Sequence, residues 1–278
     1  MRRTSRLIAS LTFAALMSGS ALAADLDNII NAPQEDPYVP VEIGTGWYIR
    51  GDISYDMATS STGTYRTYDG TAYSDNDYDQ ISYRSGNDWS IGGGYQFNSY
   101  LRGDVTFGSW HRQVDGRDTD PNPCTLAAAV GSTCRSEDTA KVNAWESMVN
   151  VYGDLGTFVG LTPYVGAGLG LTNLSYSDLT NTAYCVDGVT GLDTGVCGVA
   201  THPGESSWRF TWALMAGASY DISKNLKFDL GYRYSHVAGG AAFGFDAATA
   251  SAGATGVQGK DDGFSTHQIK AGVRYSIW

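Results

Sequence analysis

Three pairs of opposite charge stand two residues apart: Arg50/Asp52, Arg102/Asp104 and Lys227/Asp229. In a β-strand that spacing puts both side chains on one face. A guanidinium or ammonium beside a carboxylate there forms charge-assisted hydrogen bonds. Asp56, Glu146, Arg209, Arg233, Lys270 and Arg274 fall on the same kind of face and bring the set to seven bases and five acids. Such a set is nearly self-neutralising, which suits structural ion pairing. Four histidines, His111, His202, His236 and His267, lie in connecting segments or near strand ends. Histidine can hold haem iron as an axial ligand, although the plainer reading is polar surface. Cys124 and Cys134 share one polar segment, and Cys185 and Cys197 share another. Of the three possible connectivities the two local pairs are favoured, because each closes a segment between strands. A split cysteine-only zinc site has the wrong ligand spacing, so no metal is expected.

No G-x-S-x-G or H-E-x-x-H occurs. Gly166, Gly168 and Gly170 fall within a strand and make no dinucleotide loop. A Ser/His/Asp set could be assembled across connections, but no spacing points to one, so the chain is read as a non-enzyme without cofactor. Acidic residues outside the strands (Asp75, Asp77, Asp79, Asp118, Asp120, Asp261, Asp262) read as solvating charge, since a Ca²⁺ site needs a converging oxygen cage.

The elements that must position the charges have a period of two. Trp47, Ile49, Gly51, Ile53, Tyr55 and Met57 alternate with Tyr48, Arg50, Asp52, Ser54 and Asp56. The same alternation recurs around residues 89–97, 101–107, 164–171, 208–220, 226–234 and 268–277. Lys141 to Gly153 is less regular: Trp145, Val149 and Val151 share a face, and Met148 and Tyr152 break the pattern, as a bulge would. The result is eight strands. Connections alternate between short (Asn98-Ser99, Asp154 to Thr162, Ser223 to Asn225) and long (near 59–86, 114–138, 178–205 and 237–263).

Residues 1–23 combine Arg2, Arg3 and Arg6, the apolar run Leu7 to Met17, and Ala21-Leu22-Ala23. These are the three parts of a secretory signal, with cleavage expected after Ala23. Without it 15 basic and 29 acidic residues remain, a poor endowment for binding nucleic acid. Pro33, Pro37 and Pro40 mark 24–45 as an extended periplasmic segment. No later apolar run is long enough for a membrane helix. The 35 glycines and 12 % aromatics accord with many strands and turns.

A soluble sandwich also alternates. The export signal, the long and short connections, and aromatics near strand ends on the apolar face (Trp47, Tyr55, Phe97, Tyr220, Tyr234, Tyr275) favour a membrane barrel. The predicted fold is all-β: a transmembrane eight-stranded antiparallel up-and-down β-barrel over 46–278 with four long extracellular loops. The charged set (Arg50, Asp52, Arg102, Asp104, Glu146, Arg209, Lys227, Asp229, Arg233, Lys270, Arg274) would fill its lumen. Glycines on the second and fifth strands would leave room for long Arg and Glu side chains.

Gly46-Trp47-Tyr48-Ile49-Arg50-Gly51-Asp52-Ile53-Ser54-Tyr55 resembles the first strand of the alphaproteobacterial outer-membrane β-barrel surface antigens, relatives of the opacity-protein and OmpA/OmpX-like barrels. Residues 150–156 (NVYGDLG), 162–170 (TPYVGAGLG) and 267–275 (HQIKAGVRY) fit as well. The resemblance covers the strands of 46–278 and not the loops. It implies the cell outer membrane, with outer-membrane lipid, lipopolysaccharide and the barrel-assembly machinery as partners, and host or envelope proteins reached through the loops. It also implies no peptidoglycan-binding domain. One departure is the end: Ile277 holds the outward register and Trp278 lies one beyond, where such barrels usually end on an outward aromatic. The expected function is structural and surface-interacting, with a plugged lumen. The alternative is a haemin-binding or small-solute porin-like protein.

Overall fold

The computed structural model describes residues 46–120 and 133–277. The expected signal peptide, the 24–45 segment, Cys124 and Trp278 lie outside these residues. Fourteen strands are described. β1 (Gly46–Asp56), β2 (Thr59–Ser61), β3 (Gly63–Tyr68), β4 (Tyr73–Asp77), β5 (Gln80–Tyr83), β6 (Gly86–Gln96) and β7 (Leu101–Asp120) form the first half. β8 (Thr133–Asp154), β9 (Leu161–Tyr176), β10 (Leu179–Val186), β11 (Asp193–His202), β12 (Ser206–Asp221), β13 (Leu226–Gly244) and β14 (Val257–Ser276) form the second, with a short helix α1 (Ala247–Ser251) between the last two.

Eight of these strands close a ring in the order β1-β6-β7-β8-β9-β12-β13-β14, every neighbouring pair antiparallel. β1 and β14 close it, with Tyr48 opposite Ser276 and the Ile277 N–H donating to the Trp47 carbonyl at 3.0 Å. Both ends of the ring therefore meet on the short-turn side. Closure pairs each of the eight ring strands on both sides, which a bilayer demands of a sheet. Trp47, Ile49, Ile53 and Tyr55 face outward and exposed, while Tyr48, Arg50, Asp52 and Asp56 face inward and are buried. The all-β eight-stranded barrel is as expected.

The strands are longer than the sequence pattern indicated. β7, β8, β13 and β14 run for 20, 22, 19 and 20 residues, about twice the 9–11 needed to cross a bilayer. Much of what read as loop near 59–86, 114–138, 178–205 and 237–263 is strand. The reason is visible on β8. In the membrane its outward residues are apolar (Trp145, Val149, Val151) and Asn150 is inward; further out the inward residues are apolar (Ala140, Val142, Ala144). The period of two persists while the apolar face switches sides. Outside the bilayer the wall faces water, so the apolar side chains turn in. Ile81, Tyr83, Trp110, Val114, Val142, Leu174, Tyr176, Phe243 and Phe264 join in one apolar core within this extension. On the rim β2 pairs with β5, β5 with β7 and β3 with β14. The β10–β11 hairpin continues the sheet from β8.

The irregularity expected over Lys141 to Gly153 is not a bulge. β8 pairs with β7 and β9 in unbroken register through this stretch. Met148 and Tyr152 share the inward face with Asn150, each about 2 % exposed. They are large side chains filling the lumen, not slipped outward residues.

Candidate functional site

The lumen is where the predicted charged residues meet. Arg50, Asp52, Arg102, Asp104, Arg209, Asp229, Arg233 and Arg274 are all buried. Glu146, Lys227 and Lys270 are inward with side chains 15 %, 17 % and 19 % exposed. β1 carries Arg50, whose guanidinium donates to Asp52 at 2.8 Å and to Asp104 on β7 at 2.7 Å. Lys270 on β14 reaches the other Asp52 oxygen at 3.2 Å. Arg233 binds Glu146 across the barrel at 2.8 Å.

The pairs two residues apart in sequence are mostly not the pairs formed. Arg50 does bind Asp52. Arg102 binds Asp154 at 3.1 Å, Asp229 binds Arg274 at 3.3 Å, and Lys227 binds Asp221. A long arginine reaches the neighbouring or facing strand in an eight-stranded lumen, so cross-strand geometry decides. Asp88, Arg112 and Asp154 are further inward charges that the sequence reading left out. Arg112 binds both Asp56 and Asp88. Their signal was present, since Asp88 and Arg112 keep the period of two. They sit where the apolar face changes sides, so the alternation of polarity no longer marked them. Asp261, read as a solvated acid, is 3 % exposed and binds Arg209 at 2.6 Å within the extension.

Tyrosines set the geometry of the charges. The Arg102 guanidinium lies 4.1 Å from the Tyr152 ring centre and 4.8 Å from that of Tyr164. Arg274 lies 5.3 Å from Tyr48, whose hydroxyl donates to Asp104 at 3.1 Å. A buried guanidinium between ring faces gains cation–π attraction in place of lost water. Some inward glycines make room for these rings, and Gly86 of β6 makes room, as expected, for a long arginine, since a Cβ there would stand 2.7 Å from the Arg112 guanidinium. A Cβ on Gly94 of β6 would stand 2.5 Å from the Tyr48 ring, and one on Gly166 of β9 2.6 Å from the Tyr152 ring. A cavity of about 30 Å³ lies among the inner charges, lined by Asp88, Glu146, Arg233, Gln268 and Lys270 among others, room for about two waters.

The other candidates fall elsewhere. His111 is exposed on β7, and His202 is buried at the end of β11. His236 and His267 sit on the outer wall on β13 and β14, bonded to Ser265 at 3.1 Å and to the Tyr232 hydroxyl respectively. The structure does not bring the four into one cleft. Among the described residues no cluster of three or more His, Cys, Asp or Glu could hold a metal ion. Cys185 and Cys197 form a disulfide across the β10–β11 hairpin, with Cα atoms 5.6 Å apart. The Cys124–Cys134 pairing lies outside the described residues.

Comparison with known proteins follows the same line. A family model described as the outer membrane protein beta-barrel domain matches residues 11–276. An uncharacterized protein of Brucella suis biovar 1 is 35 % identical over 283 residues, covering 94 % of this chain and 95 % of its own length. An uncharacterized protein of Brucella melitensis biotype 1 matches to the same extent. Among solved structures, Neisserial surface protein A is 16 % identical, with 84 % of this chain and 99 % of that one covered and a TM-score of 0.38. OprG of Pseudomonas aeruginosa is 15 % identical, with 84 % and 97 % covered and a TM-score of 0.42. With its closed ring of eight strands, its apolar outer wall and a family match over nearly its whole length, the chain belongs to the outer membrane protein beta-barrel domain family and resides in the cell outer membrane.

Proposed function

We propose that this protein is a closed, non-enzymatic barrel that contributes to envelope integrity and presents its rigid outer extension for surface contacts. The observation carrying this reading is that the interior is filled at two successive levels. Within the bilayer the Arg–Asp–Tyr network fills the lumen around a cavity of about 30 Å³. Above it, the apolar core around Trp110, Leu174, Tyr176 and Phe264 fills the extension. Eight strands enclose an interior that side chains can fill, and here they do so with opposite chemistries. A solute would have to break buried ion pairs and an apolar core in turn, which argues against a porin. Contacts with outer-membrane lipid, lipopolysaccharide, the assembly machinery and other surface proteins would then involve the outer wall and the extension.

Single-channel recording of refolded protein in a planar bilayer tests this, with heat-modifiable gel mobility as the folding control. The expected trace is silent. Phe264→Ala, which thins the outer core alone, stays silent as well, because the inner network still closes the lumen. Large stable openings in the unmodified protein would overturn the closed-barrel reading.

A further inference from the structure

On β12, β13 and β14 the outer end of the apolar wall carries a linked set of rings and hydroxyls. Trp212 lies 5.5 Å from Tyr234 and 5.9 Å from His236, and Tyr234 lies 5.3 Å from His267, between ring centres. The Tyr234 hydroxyl donates to Ser265 Oγ at 2.8 Å, and Ser265 Oγ is 3.1 Å from His236 Nδ1. Below this set the wall is lipid-facing: Leu230 and Ile269 are exposed and apolar. Rings with an apolar body and a polar tip mark the membrane–water boundary.

A groove of about 560 Å³ opens directly above and shares His236 and Ser265 with the ring set. Residues 59–62 form one bank and 262–265 of β14 the other. The banks are tied together. Thr62 Oγ1 donates to Asp262 at 2.6 Å, the Asp262 N–H donates to the Thr62 carbonyl at 3.0 Å, and Ser61 donates to the Gly263 carbonyl. Gly263 has φ +91°, a conformation that glycine adopts without strain. A Cβ there would meet the Val237 carbonyl at 2.5 Å. The backbone conformation of β14 beside Asp262 therefore depends on glycine.

Nine of the eleven lining residues carry a polar side chain, two are aspartates (Asp79 and Asp262), and none is lysine or arginine. Hydroxyl, carboxylate, amide and imidazole groups suit a polyhydroxylated ligand. The two carboxylates without a base repel phosphate or sulfate. The volume lies in the range of small-molecule sites and admits one or two sugar rings. Its place just above the ring set, over a lipid-facing wall, gives a lipid-borne sugar an advantage. Acyl chains can lie along the wall while the sugar enters the groove, so little further motion is lost on binding.

We propose that this groove binds the uncharged sugar headgroup of an outer-leaflet glycolipid. The site is independent of whether the outer extension engages a partner.

The test is native mass spectrometry of the refolded full chain, released from mixed micelles of diglycosyl diacylglycerol, phosphatidylcholine and phosphatidylglycerol. The unmodified protein is expected to retain the glycolipid in preference to both phospholipids. Asp262→Asn and His236→Ala, each checked for heat-modifiable folding, should lower that retention about 5- to 10-fold, as the loss of one or two hydrogen bonds does. Thr67→Ala, on the exposed β3–β4 hairpin, should leave it unchanged. Equal retention by the groove variants, or preference for phosphatidylglycerol, overturns the proposal. Full competition by the same disaccharide, free and at equal concentration, overturns the lipid-borne assignment.

Discussion

Arg102 is almost fully buried, paired with Asp154, and flanked by Tyr152 and Tyr164. Removing one partner of a buried ion pair leaves the other charge desolvated, which costs more than the pair itself contributes. Arg102→Met should therefore destabilise the barrel by about 3–5 kcal/mol, measured by urea unfolding in lipid. Two exposed turn residues behave differently. The Asp69 carboxylate accepts from the N–H groups of Ala72 and Thr71, and that of Asp187 from those of Thr190 and Val189. These backbone hydrogen bonds hold both carboxyls below the usual carboxylate range. Their contribution to turn order is present above about pH 4, the unfolded value. It is lost as pH falls through the lowered folded value. Carboxyl-carbon NMR titration should give both residues midpoints below about 4; ordinary midpoints would show that the turns are not held this way.

At the scale of elements, the eight strands were legible because each carries a lipid-facing row of apolar residues. Their outer halves were not. On β9 the apolar residues are outward through Leu171 and inward at Leu174 and Tyr176. On β7 Phe107 is outward and Trp110 and Val114 are inward. A reading keyed to one apolar phase ends each strand at that switch. Gly94 and Gly51 test the two sides of the wall. Gly94→Val drives methyl groups into Tyr48 and Asp104, whereas Gly51, outward on β1, has no atom within 4 Å of a Cβ. Gly94→Val should cost about 1–3 kcal/mol or more, as overpacking does. Gly51→Ala should be tolerated. Equal effects in a refolding yield assay would place the lumen packing in error.

For the whole molecule, a charged lumen would be unfavourable if unpaired, and here the charges pair within strands, between neighbouring strands and, at Arg233–Glu146, across the barrel. Arg233 on β13 and Glu146 on β8 are not neighbours in the ring, so their bond couples strands that share no backbone ladder. Export is the remaining step at this scale. If the leading segment is a cleaved signal, N-terminal sequencing of the outer-membrane protein should begin at Ala24. A start at Met1 would make that segment part of the mature chain.

The sequence by itself determined the barrel, its strand number and the inward face of Arg50, Asp52, Arg102 and Asp104. It could do so because lipid outside and charge inside impose a period of two that each strand carries locally. The tertiary structure alone decided which charges pair, since an arginine's reach across a narrow lumen depends on the strand beside or opposite it. It alone also decided where the barrel ends. Beyond the bilayer water replaces lipid outside, the apolar face turns inward, and a core assembles from residues as far apart as Ile81 and Phe264. The groove at Asp262 and His236 is of the same kind. It exists only because β14 and the chain after β1 are brought side by side.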